Sequence, residues 1–152
     1  MEPIERLLAC REIEDLATRY AQAFDDQDWE ALGRLWTEDA SFIGAGVEFN
    51  GRLTLLEFLS TCLPVGYGGR HFCGRTLVEI ADDGLRATGR TDVVWIPENF
   101  EVTIMARYLD DVVKQDGRWL IRRREEVVVP YRPGPPPMSE TAISVSSSTM
   151  RS

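Results

Sequence analysis

The sequence predicts an α+β fold, on three observations. Apolar residues recur at three- and four-residue steps in the first half and alternate from residue 70 onward. The alternating runs are joined by Asp82-Asp83-Gly84 and Lys114-Gln115-Asp116-Gly117, both hairpin signals. Helices therefore come first and antiparallel strands follow, with no internal repeat. A chain of 152 residues fits one compact domain.

Each element has its own signal. Ile4, Leu7, Leu8, Ile13, Leu16, Ala17, Tyr20, Ala21 and Phe24 predict a long amphipathic helix over 4–25. Asp25-Asp26-Gln27-Asp28 ends it, and Asp28 is placed to cap a short helix over 29–36. A strand begins at 40–43, and Gly44, Gly46 and Gly51 punctuate a hairpin or loop. A third helix is predicted over 54–63, closed by Pro64. Runs 71–81 and 85–96 read as one strand pair, and 100–113 and 118–129 as a second. Residues 1–130 form the domain. Residues 131–152 are rich in Pro and Ser, which predicts a tail, flexible or folded as a lid.

Composition excludes several classes. The net charge is −8, and 13 of the 25 acids lie in residues 1–69 against five bases. An acidic chain argues against nucleic acid, whose phosphates need a basic face. No apolar run approaches the ~20 residues that span a bilayer, so no membrane partner is expected. Met1-Glu2-Pro3-Ile4-Glu5-Arg6 has neither the basic start nor the apolar stretch of a signal peptide, which predicts a cytoplasmic protein. Cys10, Cys62 and Cys73 lack CxxC spacing and read as free thiols. With one histidine and no Cys/His cluster, no metal site is expected. No glycine-rich phosphate loop is present, so no cofactor is expected either.

His71, the only histidine, shares a strand face with Cys73 at a spacing of two, which keeps a Cys–His reading open. Tyr108 shares a face with Ile104 and Ala106 and is placed to donate a hydrogen bond. Glu125 shares a face with Trp119, Ile121 and Val127. That alternation aims it at a pocket floor, where burial would raise its carboxyl and make it an acid. The other reading of the charged run 122–126 is ion pairing between strands.

Four stretches together carry a resemblance: Tyr20-Ala21-Gln22-Ala23-Phe24-Asp25-Asp26-Gln27-Asp28-Trp29, Leu35-Trp36-Thr37-Glu38-Asp39-Ala40-Ser41-Phe42, Arg70-His71-Phe72-Cys73-Gly74 and Asp116-Gly117-Arg118-Trp119. In order and spacing they resemble the SnoaL-like group of the nuclear transport factor 2-like superfamily, most nearly its scytalone dehydratase-like subgroup. The resemblance implies a cone-shaped curved antiparallel sheet wrapped around N-terminal helices and enclosing an apolar pocket.

It also implies roles. Asp25 would orient His71, and His71 would act as general base and acid, because a carboxylate on one ring nitrogen fixes the imidazole tautomer. Tyr20 falls where ketosteroid isomerase carries its oxyanion-hole tyrosine. The second histidine of scytalone dehydratase has no counterpart in Trp95-Ile96-Pro97-Glu98, so the substrate should differ. Phe24, Trp36, Phe42, Phe58, Tyr67 and Trp95 are expected to line the pocket, together with Leu63 and Phe100. The reading is a cofactor-free enzyme, a dehydratase, cyclase or isomerase, acting on a small apolar substrate such as a polyketide-like secondary metabolite. The alternative is a non-catalytic binding or assembly module, like the small subunit of a ring-hydroxylating dioxygenase. A homodimer through the outer sheet face is expected, since Val94, Ile96, Met105 and Leu109 lie opposite to the pocket-facing residues.

Overall fold

The structure is a computed structural model that describes residues 1–62, 68–98 and 104–129. Helix α1 (Pro3–Asp25) starts with Pro3, where a missing N–H costs nothing, and the Glu5 carboxylate accepts the Glu2 N–H at 2.9 Å. Its buried stripe runs from Ala9 to Phe24, whereas Ile4, Leu7 and Leu8 are exposed. Helix α2 (Trp29–Gly33) is capped by the Asp28 carboxylate, which accepts the Ala31 N–H at 2.8 Å. It is shorter than the 29–36 expected, because Trp36 is taken up by strand pairing.

Strand β1 (Trp36–Gly44) turns into β2 (Val47–Asn50) through Ala45 and Gly46, at φ 51° and 78°. Two successive positive φ angles suit the twist of a tight hairpin. Helix α3 (Arg52–Thr61) follows. The expected run 71–81 is two strands, β3 (Gly69–Cys73) and β4 (Leu77–Ile80). Both pair with β5 (Arg86–Pro97), and the register slips by one residue between Cys73↔Val93 and Leu77↔Arg90. Strands β6 (Ile104–Gln115) and β7 (Arg118–Val128) form the second hairpin, with Asp116 and Gly117 at φ 48° and 79°.

The sheet order is β2-β1-β7-β6-β5-β3, with β4 also on β5. The sheet is open and curved. It is mixed rather than wholly antiparallel as expected, because β1 runs parallel to β7. A parallel pair needs a long crossover, and here everything between the two strands supplies it. The helices pack on the concave face over a core of Ile13, Leu16, Tyr20, Leu32, Trp36, Phe42, Leu55 and Ile121. No helix among the described residues is long and apolar enough to cross a membrane.

One irregularity decides what faces the core. Val112 pairs with Ile121 and Asp111 with Arg123, so Arg122 is an extra residue in β7. Before this bulge Trp119 and Ile121 point inward. After it the even positions, Arg124 and Glu126, take the inner face.

Candidate functional site

α1 and β3 build the core of the site. Asp25 is the last residue of α1, and His71 is the third residue of β3. The Asp25 carboxylate reaches both the ring and the backbone of His71. Oδ1 lies 2.6 Å from Nδ1, and Oδ2 accepts the His71 N–H at 2.7 Å. The side chains are 4% and 9% exposed, so water competes little for either bond. An ionised Asp25 places the imidazole proton on Nδ1, and Nε2, which has no hydrogen-bond partner among the described residues, becomes the acceptor.

Neighbours fix the ring. Phe24 meets it edge-on at 5.4 Å and Trp95 lies 6.4 Å away. Gly69 permits this approach, since a Cβ there would occupy the Trp95 ring. Arg70 ties the strand to the helix end by donating to the Asp25 carbonyl at 3.3 Å and pairing with Asp26 at 3.5 Å.

His71 lines a cavity of about 330 Å³ between α1, α3 and the concave sheet face. Tyr20, Phe24, Phe42, Phe58, Leu59 and Trp95 make its apolar wall, and the exposed Ile104 and Val128 also border it. A groove of about 660 Å³ runs between α1, α2 and the start of β7. It is larger, but its rim carries Glu12, Arg19, Asp26, Asp28, Arg34 and Arg118, and it holds no paired acid–base group. A depression of about 570 Å³ also borders Asp25 and His71, with Thr18, Asp26, Arg70 and Phe72, but it holds neither tyrosine. The smaller cavity, where His71 meets Tyr20 and Tyr108 in an apolar wall, is the candidate site.

Tyr20 and Tyr108 both line it, and neither hydroxyl has a hydrogen-bond partner among the described residues. Burial holds both phenols well above their usual range, so they remain protonated donors. Behind them lies Arg124, fully buried, its guanidinium 4.3 Å from the Tyr20 ring centre and 4.0 Å from that of Tyr108. Burial works against its charge, but Asp110, bound at two oxygens at 2.7 Å each, outweighs this and keeps Arg124 ionised. Arg124 Nη1 is buried without a partner among the described residues.

The structure thus brings Asp25, His71, Tyr20 and Tyr108 together with Phe24, Phe42, Phe58 and Trp95. It departs from the expectation at two residues. Glu125 does not reach the cavity: the bulge at Arg122 turns it away, and it pairs with Arg123 at 2.9 Å. Trp36 is fully buried in the core against Tyr20 and Phe42 and is not part of the cavity wall. Tyr67, Leu63, Phe100 and the tail over 131–152 lie outside the described residues. Cys73 donates to the Ala17 carbonyl at 3.7 Å, and burial raises its thiol, which disfavours a thiolate nucleophile. Among the described residues no cluster of three His, Cys, Asp or Glu could hold a metal.

Three residues were missed: Glu126, Arg124 and Asp110. Glu126 lines the cavity with His71, and burial raises its carboxyl above the usual range, while His71 and Arg124 oppose the rise. The bulge that displaces Glu125 installs Arg124 and Glu126.

Comparison with known proteins agrees with this architecture. The profile of the SnoaL-like domain matches residues 5–125. No curated protein matches the chain. A solved variant of a protein of unknown function from Mycobacterium tuberculosis is 29% identical over 86% of this chain and 78% of its own, with a TM-score of 0.76. A scytalone dehydratase candidate from Novosphingobium aromaticivorans is 22% identical, covering 91% and 98%, with a TM-score of 0.71. A hexachlorocyclohexane dehydrochlorinase is 20% identical, covering 90% and 99%, with a TM-score of 0.75. The chain belongs to the SnoaL-like domain family.

Proposed function

We propose that the chain is a cofactor-independent enzyme that moves protons on a small, neutral, largely apolar molecule, as an acid/base dehydratase or cyclase of polyketide-like secondary metabolites. One observation carries the reading: a buried Asp25–His71 pair, 2.6 Å apart, at the wall of an apolar cavity. His71 Nε2 takes a proton from the substrate, and the Asp25 carboxylate stabilises the imidazolium that forms. Tyr20 and Tyr108 donate hydrogen bonds to a substrate oxygen. Arg124, stacked behind both rings, supports negative charge as it develops there. The names of two neighbours of this fold, a dehydratase candidate and a dehydrochlorinase, both describe eliminations, which adds support.

The test begins with mass spectrometry of small molecules retained by the purified protein, followed by turnover of the molecule found. A neutral apolar ligand is expected, and His71→Ala should lower its turnover roughly 10²–10⁴-fold. Full turnover by that variant would remove His71 from the chemistry.

A further inference from the structure

We propose that Glu126 is the second proton-transfer group of the cavity, donating to a departing hydroxyl oxygen, so that the substrate class is a β-hydroxy carbonyl compound. This rests on the reading of His71 as the base and adds the acid that the base requires.

The geometry supplies the argument. His71 enters from β3 and Glu126 from β7, and both line one cavity. Two strands, β6 and β5, lie between them in the sheet. Their rows are also offset along the strands. His71 lies opposite Trp95 of β5, and Glu126 lies opposite Tyr108 of β6, which is itself opposite Thr91 of β5. The curvature of the sheet brings both side chains to the one cavity. Both groups border the same cavity of about 330 Å³, and no hydrogen bond or ion pair joins Glu126 to another described residue. Their charges nonetheless act on one another across it.

Glu126 is surrounded by His71 from β3, Arg124 on its own strand, Cys62 beyond α3, Tyr20 from α1 and Tyr108 from β6. Burial favours its neutral form, which is the form that can donate. A carboxyl that no described residue pairs contributes less to packing there than an apolar residue would.

The proposed step balances. His71 Nε2 takes the proton from the carbon beside the carbonyl. The released pair forms the C=C bond as the C–O bond breaks. The Glu126 O–H bond breaks, its proton goes to the departing oxygen, and water leaves. The imidazolium then returns its proton to the Glu126 carboxylate through water in the cavity. A chloride departs as an anion and needs no proton, so Glu126 has no part in its loss.

Two measurements test this. Infrared difference spectra of wild type against Glu126→Gln need no substrate. A protonated carboxyl band should persist above the ordinary carboxylate range, vanish in Glu126→Gln, and titrate at still higher pH in His71→Ala. A band that titrates in the ordinary range overturns the proposal. The second measurement uses a phenyl-substituted β-hydroxy ketone and its β-chloro counterpart. Glu126→Gln should slow loss of water by roughly 10²-fold or more and leave loss of chloride within about twofold. Glu126→Asp should recover part of the dehydration, and His71→Ala should slow both. Equal losses on both ketones in Glu126→Gln would mean a structural role and overturn the assignment. A wild type inert toward both overturns the assigned substrate class, and the infrared result alone then decides whether Glu126 holds a proton.

Discussion

Replacing Asp25 by Asn tests the pair with almost no change of shape. The carboxylate now accepts two hydrogen bonds, from the His71 backbone at 2.7 Å and from Nδ1 at 2.6 Å. An amide has one acceptor oxygen and one donor nitrogen. Its oxygen must take the backbone N–H, so its NH₂ meets Nδ1. That forces the imidazole proton onto Nε2, the nitrogen the chemistry needs free. The change replaces two charge-assisted bonds, each worth about 1.5–3 kcal/mol, with neutral ones of about 0.5–1.5 kcal/mol. Both side chains are more than nine-tenths buried, so solvent screening discounts little. The expected loss is about 1–3 kcal/mol, or a Tm lowered by roughly 2–10 °C for a chain of this size. His71 is the only histidine, so long-range ¹⁵N spectra report its tautomer without assignment. Wild type should carry the proton on Nδ1 and the variant on Nε2. A wild-type proton on Nε2, or the same tautomer in both proteins, refutes the reasoning.

Three further outcomes are expected. Arg124→Met should destabilise by about 3–5 kcal/mol in urea unfolding, because it leaves the Asp110 carboxylate buried and unpaired, and adding Asp110→Leu should restore most of the loss. For Glu126 the folded carboxyl is raised above its ordinary value of 4.5, so its contribution is fully present below that pH and lost as pH rises through the folded value. Glu126→Gln should therefore gain melting temperature over wild type progressively above pH 4.5, and an offset constant with pH contradicts this. The outer sheet face carries Phe72 at 60% and Met105 at 53% exposure. We propose a homodimer through that face, so sedimentation at micromolar concentration should give twice the chain mass, and Met105→Lys should give the monomer.

The helical spacing of Leu16, Tyr20 and Phe24 and the Asp-Gly turns made the order of elements legible, because each is a local signal. The pairing of Asp25 with His71 is not local. It spans 46 residues and was reachable only through resemblance to a family. Glu126 was hidden for a different reason. Strand phase is read from contrast between apolar and polar positions, and residues 122–126 are all charged, so nothing in them reveals a slipped register. Counting onward from Trp119 and Ile121 puts Glu125 inside, and the extra residue at Arg122 reverses this. The one hint was Trp119-Leu120-Ile121, three consecutive apolar residues that are all buried just before the bulge. Trp36 was misplaced because an apolar residue after a short helix looks like its last turn until the pairing with Ile121 is seen.

The central claim is that Asp25 and His71 act as one proton-transfer unit, and a double-mutant cycle on turnover tests it most directly. The substrate should be the molecule retained by the purified protein, with His71→Ala, Asp25→Asn and the double variant compared at matched folding. Groups that act as a unit are non-additive. The double variant should be slower than the worse single variant by no more than about threefold, although each single loss is roughly 10²-fold or more. Losses that multiply in the double variant would contradict the account, because two independent residues, not a working pair, would then carry the activity.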